Sequence, residues 1–426
     1  MNSERILVRG ANWLGDAVMS TPALLRLREA RPQAHLSLLT PEKLADLWHH
    51  HPAVDAVLSF SPDESVWRLG RQLRQQHFDL ALVLPNSPRS ALEVWLARIP
   101  QRIGYAGLWR NWFLTRRVPP RPGAARMRKR SVSEIRRLIA ASGERNQSSV
   151  ASHKSQVSGP PPSTINHEPS AVPRAAHHIH QYLHLVGALG ASTAPLTPRL
   201  HVSDQEAEAA GRRLGLLIEP PDARPLFGLN AGAEYGPAKR WPRERFVAAA
   251  IELHRRSNCR WIIFGGPSDL DLAADITTEL TEALRPSDGE PSISRDIPQP
   301  STLNPPPSSP PVLNLAGRTT LRELCAVLKL CRVLLTNDTG PMHVAAAVGT
   351  PVVVPFGSTS PELTGPGWPG DSRHVLLQAG VPCAPCFLRE CPIDFRCMNS
   401  LPVERVVEAV LAVATPIDAR DPRPAA

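Results

Sequence analysis

Asp16 closes the stretch "GANWLGD", which follows the apolar run "RILVRG" and precedes "AVMSTPALLRLRE", whose apolar residues recur at helical spacing. A strand that passes through a glycine-bracketed turn into a helix is the usual cradle for phosphate, because free N–H groups at the helix start favour an anion. The glycines of the P-loop spacing G-x-x-x-x-G-K are present as Gly10 and Gly15, but an acid stands where the lysine belongs. A bound phosphate would be repelled by it. A carboxylate ionised at neutral pH can instead take the proton of a hydroxyl as that hydroxyl attacks. The competing role for Asp16 is structural, as an N-cap of the following helix.

Anion-friendly residues lie in the other half of the chain. In "LLTNDTGPMHVAAAVGTPVVVPFG" an apolar strand ends at Asn337 and Asp338, Thr339 is placed to cap, and Pro341 suits the first turn of a helix. The free N–H groups and dipole of that helix would favour a diphosphate, although a plain strand-to-helix turn has the same local pattern. In "GLNAGAEYGPAKRWP", Gly232 and Gly236 allow close backbone approach while Lys239 and Arg240 supply cations. Alone, Lys239 reads as a solvated loop residue. Two such strand ends in one sheet converge on one crevice, which places an anionic ligand in the C-terminal half.

The elements that must position these residues alternate strand and helix throughout, so the expected class is α/β with parallel sheets covered by helices. Strands are expected at "RILVRG", "HLSLLT", "AVLSF" and "DLALVLP", and again at "PLFGLNAG", "CRWIIFGG", "VLNLAG", "VLLTND", "VVVPFG" and "HVLLQA". "TTLRELCAVLKLC" has Thr320 and Glu323 at capping-box spacing before an apolar face. A length of 426 residues exceeds one ordinary core. Two domains are expected, residues 1–198 and 199–426, with the boundary near "TAPLTPRLHVSDQE". The polar, Pro- and Ser-rich stretches Ser142–Pro173 and Arg285–Pro311 bury too little apolar surface to offset chain entropy and are expected as mobile insertions.

The formal net charge is +9, with basic residues concentrated between Arg116 and Arg137. Such a patch suits nucleic acid, anionic headgroups or a phosphorylated substrate. An aromatic content of 5% and the lack of any helix-turn-helix, zinc-finger or RNP signature weigh against nucleic acid. No apolar run is long enough for a spanning helix, and the N-terminus lacks a secretory pattern, so a cytoplasmic location is expected. No G-x-G-x-x-G follows a strand with a suitably spaced acid, which disfavours a dinucleotide-dependent oxidoreductase.

Taken together, "NWLGD", "LPNSPRSAL" (Leu84–Leu92), "GAEYGPAKRWP" (Gly232–Pro242) and "NDTGPMHVAAA" (Asn337–Ala347) resemble the blocks of the lipopolysaccharide heptosyltransferases of glycosyltransferase family 9. The second and third blocks are most similar to the members that add the second heptose. The resemblance implies the GT-B architecture, two Rossmann-like domains facing a central cleft. It also implies inverting transfer of L-glycero-D-manno-heptose from ADP-heptose to the first heptose of the lipid A-linked inner core, with transfer at the first or third step as the alternative. Asp16 matches the family's general base, Lys239 its donor-phosphate lysine, and Asp338, Thr339, Gly340 and His343 its donor-binding block. The scheme requires no metal or other cofactor. The acceptor implies peripheral contact with the cytoplasmic face of the inner membrane, and the basic stretch around Arg126–Arg130 would suit phosphorylated inner-core sugars or that membrane face. A nucleotide-sugar binding protein in which Asp16 is only a cap is the non-enzyme alternative.

Cys383, Cys386, Cys391 and Cys397 crowd into "CAPCFLRECPIDFRC", where a C-x-x-C followed by two further cysteines makes a zinc candidate. Asp269 and Asp271 form a D-x-D, but acids in a helix's first turn are explained by the dipole, with Ser268 able to cap, and no metal is assigned there. His177, His178 and His180 do not share one helical face and are expected as a solvated helix start.

Overall fold

The computed structural model describes residues 3–125, 127–150, 174–218, 221–285 and 309–415. Its strands are β1 (Arg5–Arg9), β2 (His35–Pro41), β3 (Ala56–Phe60), β4 (Leu80–Val83), β5 (Gln101–Tyr105), β6 (Arg116–Val118), β7 (Leu226–Asn230), β8 (Arg260–Ile263), β9 (Val312–Asn314), β10 (Val333–Thr336), β11 (Val352–Pro355) and β12 (Val375–Leu377). They form two six-stranded sheets, ordered β3-β2-β1-β4-β5-β6 and β12-β11-β10-β7-β8-β9. Every pairing is parallel. Read from its outer strand, the second sheet repeats the order of the first. Each therefore reverses direction once, between β1 and β4 and between β7 and β10, and that reversal opens a crevice at the carboxyl ends of the strands.

The expected α/β class is observed, and its physical basis is plain in the strands. β4, β8, β10 and β11 are buried at every position, as strands covered on both faces must be. The helices supply the covering layers. In helix Val66–Arg74, Leu69 and Leu73 are buried while Arg68, Arg71 and Arg74 are exposed. Helix Leu321–Leu330 begins with the expected capping box: the Thr320 side chain accepts from the Glu323 N–H, and the Glu323 carboxylate accepts from the Thr320 N–H. One hydrophobic cluster runs from Ile6 and Leu24 of the first lobe to Leu334 and Met342 of the second.

Two strands depart from the expected pattern. β5 and β6 lie toward one edge of the first sheet, where Arg102, Gly104, Arg116 and Arg117 interrupt any apolar run. Helix Val132–Val150 extends past Ser142, so residues 142–150 of the first expected insertion are helical. The remainder, 151–173, and most of the second, 286–308, lie outside the described residues. Between helix Ile179–Gly187 and helix Asp204–Arg213 the chain has neither helix nor strand, and Ser203 caps the latter in a second capping box.

A buried ion pair anchors the turn after β1. Arg9 donates from Nε to Glu93 at 2.8 Å, and from Nη1 to Gly10 O at 2.6 Å and Asn12 Oδ1 at 2.9 Å. Its guanidinium lies 4.5 Å from the Phe60 ring centroid, and the Arg9 and Glu93 side chains are 3% and 0% exposed. Removing one partner strands the other charge, so Glu93→Ala should lower the free energy of unfolding by about 3–5 kcal/mol in urea titration. Glu252→Ala, which deletes the exposed partner of Arg255, should leave the unfolding midpoint unchanged.

Candidate active site

The four blocks singled out in the sequence are the loops at the two reversal points. "NWLGD" follows β1 and "LPNSP" follows β4; "GAEYGPAK" follows β7 and "NDTGP" follows β10. The loops after β1 and β10 both enter helices, Leu14–Met19 and Gly340–Ala347, and these helices meet across the lobes. A Cβ placed on Gly15 would lie 2.7 Å from His343 Cδ2, and one on Gly340 would lie 2.8 Å from Leu14 Cδ2. A side chain at either position would collide with the facing helix, so glycine lets each helix start lie directly against a side chain of the other.

Asp16 sits in the first turn of helix Leu14–Met19, half-buried, with Trp13 at the N-cap. It is therefore not the cap. Its Oδ1 accepts a hydrogen bond of 2.9 Å from the Tyr182 hydroxyl, and His178 is close enough for the carboxylate to act on its titration. Sequence reasoning missed both partners. His177, His178 and His180 correct the expectation of a solvated helix start, because contacts from the second lobe enclose them. His177 is 1% exposed and its Nε2 lies 3.0 Å from Gly365 O, the His178 N–H donates to Leu363 O, and the His180 ring meets Trp368 edge-on.

On the second lobe Lys239 Nζ lies 2.6 Å from Asp338 Oδ2, and Thr359 donates to the same oxygen. The Lys239 ammonium also faces the Tyr235 ring at 5.0 Å. Asn337 ties the two loops together: it donates to Ala231 O at 2.7 Å and accepts from the Trp241 N–H at 2.9 Å. Thr339 occupies the N-cap position, but its side chain makes no capping bond. His343 is buried one turn into that helix; burial pushes its pKa down to about 4, with Asp338 opposing the shift and Lys239 and His178 adding to it. Lys239, Asp338, Thr339, Gly340 and His343 thus form one cluster, and the contact between Gly15 and His343 brings Asp16 beside it.

Asp269 turns its carboxylate back to the Gly266 N–H at 3.1 Å and lies against Gly232, at the helix boundary where Ser268 was expected. Asp271 is exposed, so the D-x-D does not converge. A cavity of about 300 Å³ opens at the carboxyl end of β7 beside the Lys239 loop, lined by Ala231, Arg240, Arg243, Leu272 and Phe395 among others.

Cys383, Cys386, Cys391 and Cys397 line one small apolar cavity with Ile135 and Ala238. Among the described residues, however, no three His, Cys, Asp or Glu side chains are arranged to hold a metal ion. Burial raises the Cys383 and Cys386 thiols and pushes Cys397 up to about 12, so they are protonated at neutral pH. The segment buttresses the Lys239 loop through its backbone instead. Arg389 O accepts from the Ala238 N–H, Phe387 O accepts from the Tyr235 hydroxyl at 2.9 Å, and Cys386 and Phe387 donate to Ser358 O.

The buried imidazoles set an acid limit on the folded state. His343 is held at about 4 and His177 at about 3 by burial, against about 6.5 in the unfolded chain. The unfolded chain therefore binds protons first as the pH falls. The contribution is complete above pH 6.5 and is lost below it, at about 1.4 kcal/mol per pH unit for each imidazole. Urea midpoints measured from pH 7.5 to 5 should fall, and His177→Asn should lessen the slope by one proton's worth.

The family model for glycosyltransferase family 9 (heptosyltransferase) matches residues 66–152, 151–288 and 301–395. The chain is 28% identical over 369 residues to lipopolysaccharide heptosyltransferase 2 of Salmonella typhimurium, covering 85% of each. It is 27% identical over 371 residues to lipooligosaccharide heptosyltransferase 2 of Haemophilus influenzae, again covering 85% of each. The solved structure of E. coli ADP-heptose LPS heptosyltransferase II is similar with a TM-score of 0.67 at 25% identity, covering 96% of this chain and 98% of that one. E. coli heptosyltransferase WaaC with ADP shares the fold with a TM-score of 0.58 at 15% identity, covering 96% and 99%. The architecture is GT-B, and the chain belongs to glycosyltransferase family 9, the heptosyltransferase family of glycosyltransferases.

Proposed function

We propose that this chain transfers L-glycero-D-manno-heptose from ADP-heptose to the first heptose of the lipopolysaccharide inner core, with the acceptor on the first lobe (residues 1–198) and the donor on the second (199–426). Support for the chemistry comes from the placement of Asp16 beside the Lys239 cluster at the contact of the two helix starts. The acceptor hydroxyl oxygen attacks the anomeric carbon of the donor, and its proton passes to Asp16. The bond from that carbon to the phosphate oxygen breaks, and ADP departs with the electron pair. Lys239 and the N–H groups at the start of helix Gly340–Ala347 meet the charge that develops on the diphosphate. One displacement inverts the anomeric centre. Support for the second-heptose step comes from relatives of that name along 85% of the chain.

The acceptor is lipid-borne, and the first lobe carries a surface suited to a bilayer. Leu108, Trp109 and Trp112 are 87%, 76% and 80% exposed on the loop after β5. From Val94 to Ser133 the chain has ten Arg or Lys residues and no Asp or Glu. Tryptophan beside arginine favours the boundary between headgroups and acyl chains of an anionic leaflet. Arg116 and Arg117 are exposed in this stretch, whereas Arg130 donates to Pro382 O and Cys386 O of the second lobe, and Arg126 lies outside the described residues. No helix among the described residues is long and apolar enough to cross a membrane.

Release of ADP from ADP-heptose, measured with core acceptors of defined length, tests the chemistry. Asp16→Asn should lower turnover by about 10²–10⁴-fold while donor binding persists. Full turnover would remove Asp16 as the base, and transfer only to a heptose-free acceptor would move the assignment to the first step. For the surface, Trp109→Ala with Trp112→Ala should reduce sedimentation with phosphatidylglycerol vesicles and leave donor binding intact. Native vesicle binding by that variant would eliminate this loop as the contact.

A further inference from the structure

We infer that Tyr182 is a positioning residue for Asp16, held in place by a helix whose start is fastened to the opposite lobe. The inference rests on the reading of Asp16 as the general base. Tyr182 lies on helix Ile179–Gly187, and its hydroxyl donates to Asp16 Oδ1 at 2.9 Å. A carboxylate with one oxygen engaged loses the freedom to rotate between faces, so its other oxygen points in a fixed direction. Such orientation is where much of the advantage of a bound base arises. Burial and the adjacent Asp16 carboxylate hold the Tyr182 phenol well above its usual range, so it remains protonated and acts as the donor.

The helix is fastened at its start and along its side. The His178 N–H donates to Leu363 O at 3.0 Å, and His177 Nε2 lies 3.0 Å from Gly365 O, both carbonyls belonging to the second lobe. The Ile179 N–H donates to His177 Nδ1 at 3.3 Å, which leaves the proton on Nε2 for Gly365. Burial pushes His177 down to about 3, so this neutral tautomer persists at neutral pH. On the first lobe Tyr105, the last residue of β5, donates to Gln181 O at 2.7 Å and stacks on His184. A shift of the second lobe's Leu363–Gly365 segment therefore displaces the hydroxyl that holds the base. The donor lobe thus bears on the geometry of the acceptor lobe's carboxylate through backbone carbonyls, without any contact to the substrate.

Tyr182→Phe keeps the ring and deletes only the donor. The expected result is a kcat lower by about tenfold, with the donor KM unchanged. In the Asp16→Asn background the same substitution should cause no further loss, because there is no longer a base to orient. A native kcat for Tyr182→Phe would overturn the inference, as would an equal fold-loss in both backgrounds. Failure of the underlying reading looks different: Asp16→Asn alone would then turn over at the native rate, whatever Tyr182→Phe does.

Discussion

Two helix starts from different lobes touch through glycine. Gly15 abuts the His343 imidazole, Gly340 abuts the Leu14 side chain, and neither position has room for a methyl group. This contact fixes the distance between the carboxylate after β1 and the lysine–aspartate pair after β7 and β10. Without it, the loops at the two sheet reversals would be separate anion or cap sites. With it, the loop after β1 lies against the start of the helix that follows β10.

The charges around the contact are arranged so that few are left unanswered. Arg9 is compensated by Glu93 and by the turn it braces, and Lys239 by Asp338. His343 is neutral because burial outweighs the attraction of Asp338. The pairing of Lys239 with Asp338 has a functional consequence under the proposed reaction. An arriving diphosphate meets a lysine already oriented by a neighbouring carboxylate and by the Tyr235 ring, so little side-chain entropy remains to be lost on binding. The cysteine-rich segment serves the same end from behind, since its backbone carbonyls hold the loop that carries Lys239.

Much of this was legible in the sequence, for identifiable reasons. Apolar runs marked β1 to β4 and β7 to β12, edge strands β3, β9 and β12 included, while β5 and β6 carry arginine and did not stand out. Turn chemistry marks the loops after β1, β7 and β10, while the loop after β4 is picked out by the family resemblance alone. The histidines at 177, 178 and 180 were misread because a helical wheel considers only the residue's own element, and the groups that bury them come from Leu363 to Trp368. Tyr182 gave no local signal, since an aromatic at helical spacing is ordinarily core. The cysteine spacing does bring the four thiols to one cavity, but among the described residues they do not form a metal-holding group. The sequence left Asp16 open between cap and base, and the helix start at Trp13 removes the cap role alone.

The central claim, that catalysis depends on the direct approach of the two helix starts, is tested most directly by kcat of Gly15→Ala. Alanine within a helix ordinarily adds stability relative to glycine. Here the added methyl overlaps His343 and forces the lobes apart, so a fall in kcat is predicted together with an overpacking cost of about 1–3 kcal/mol. A native kcat would contradict the account.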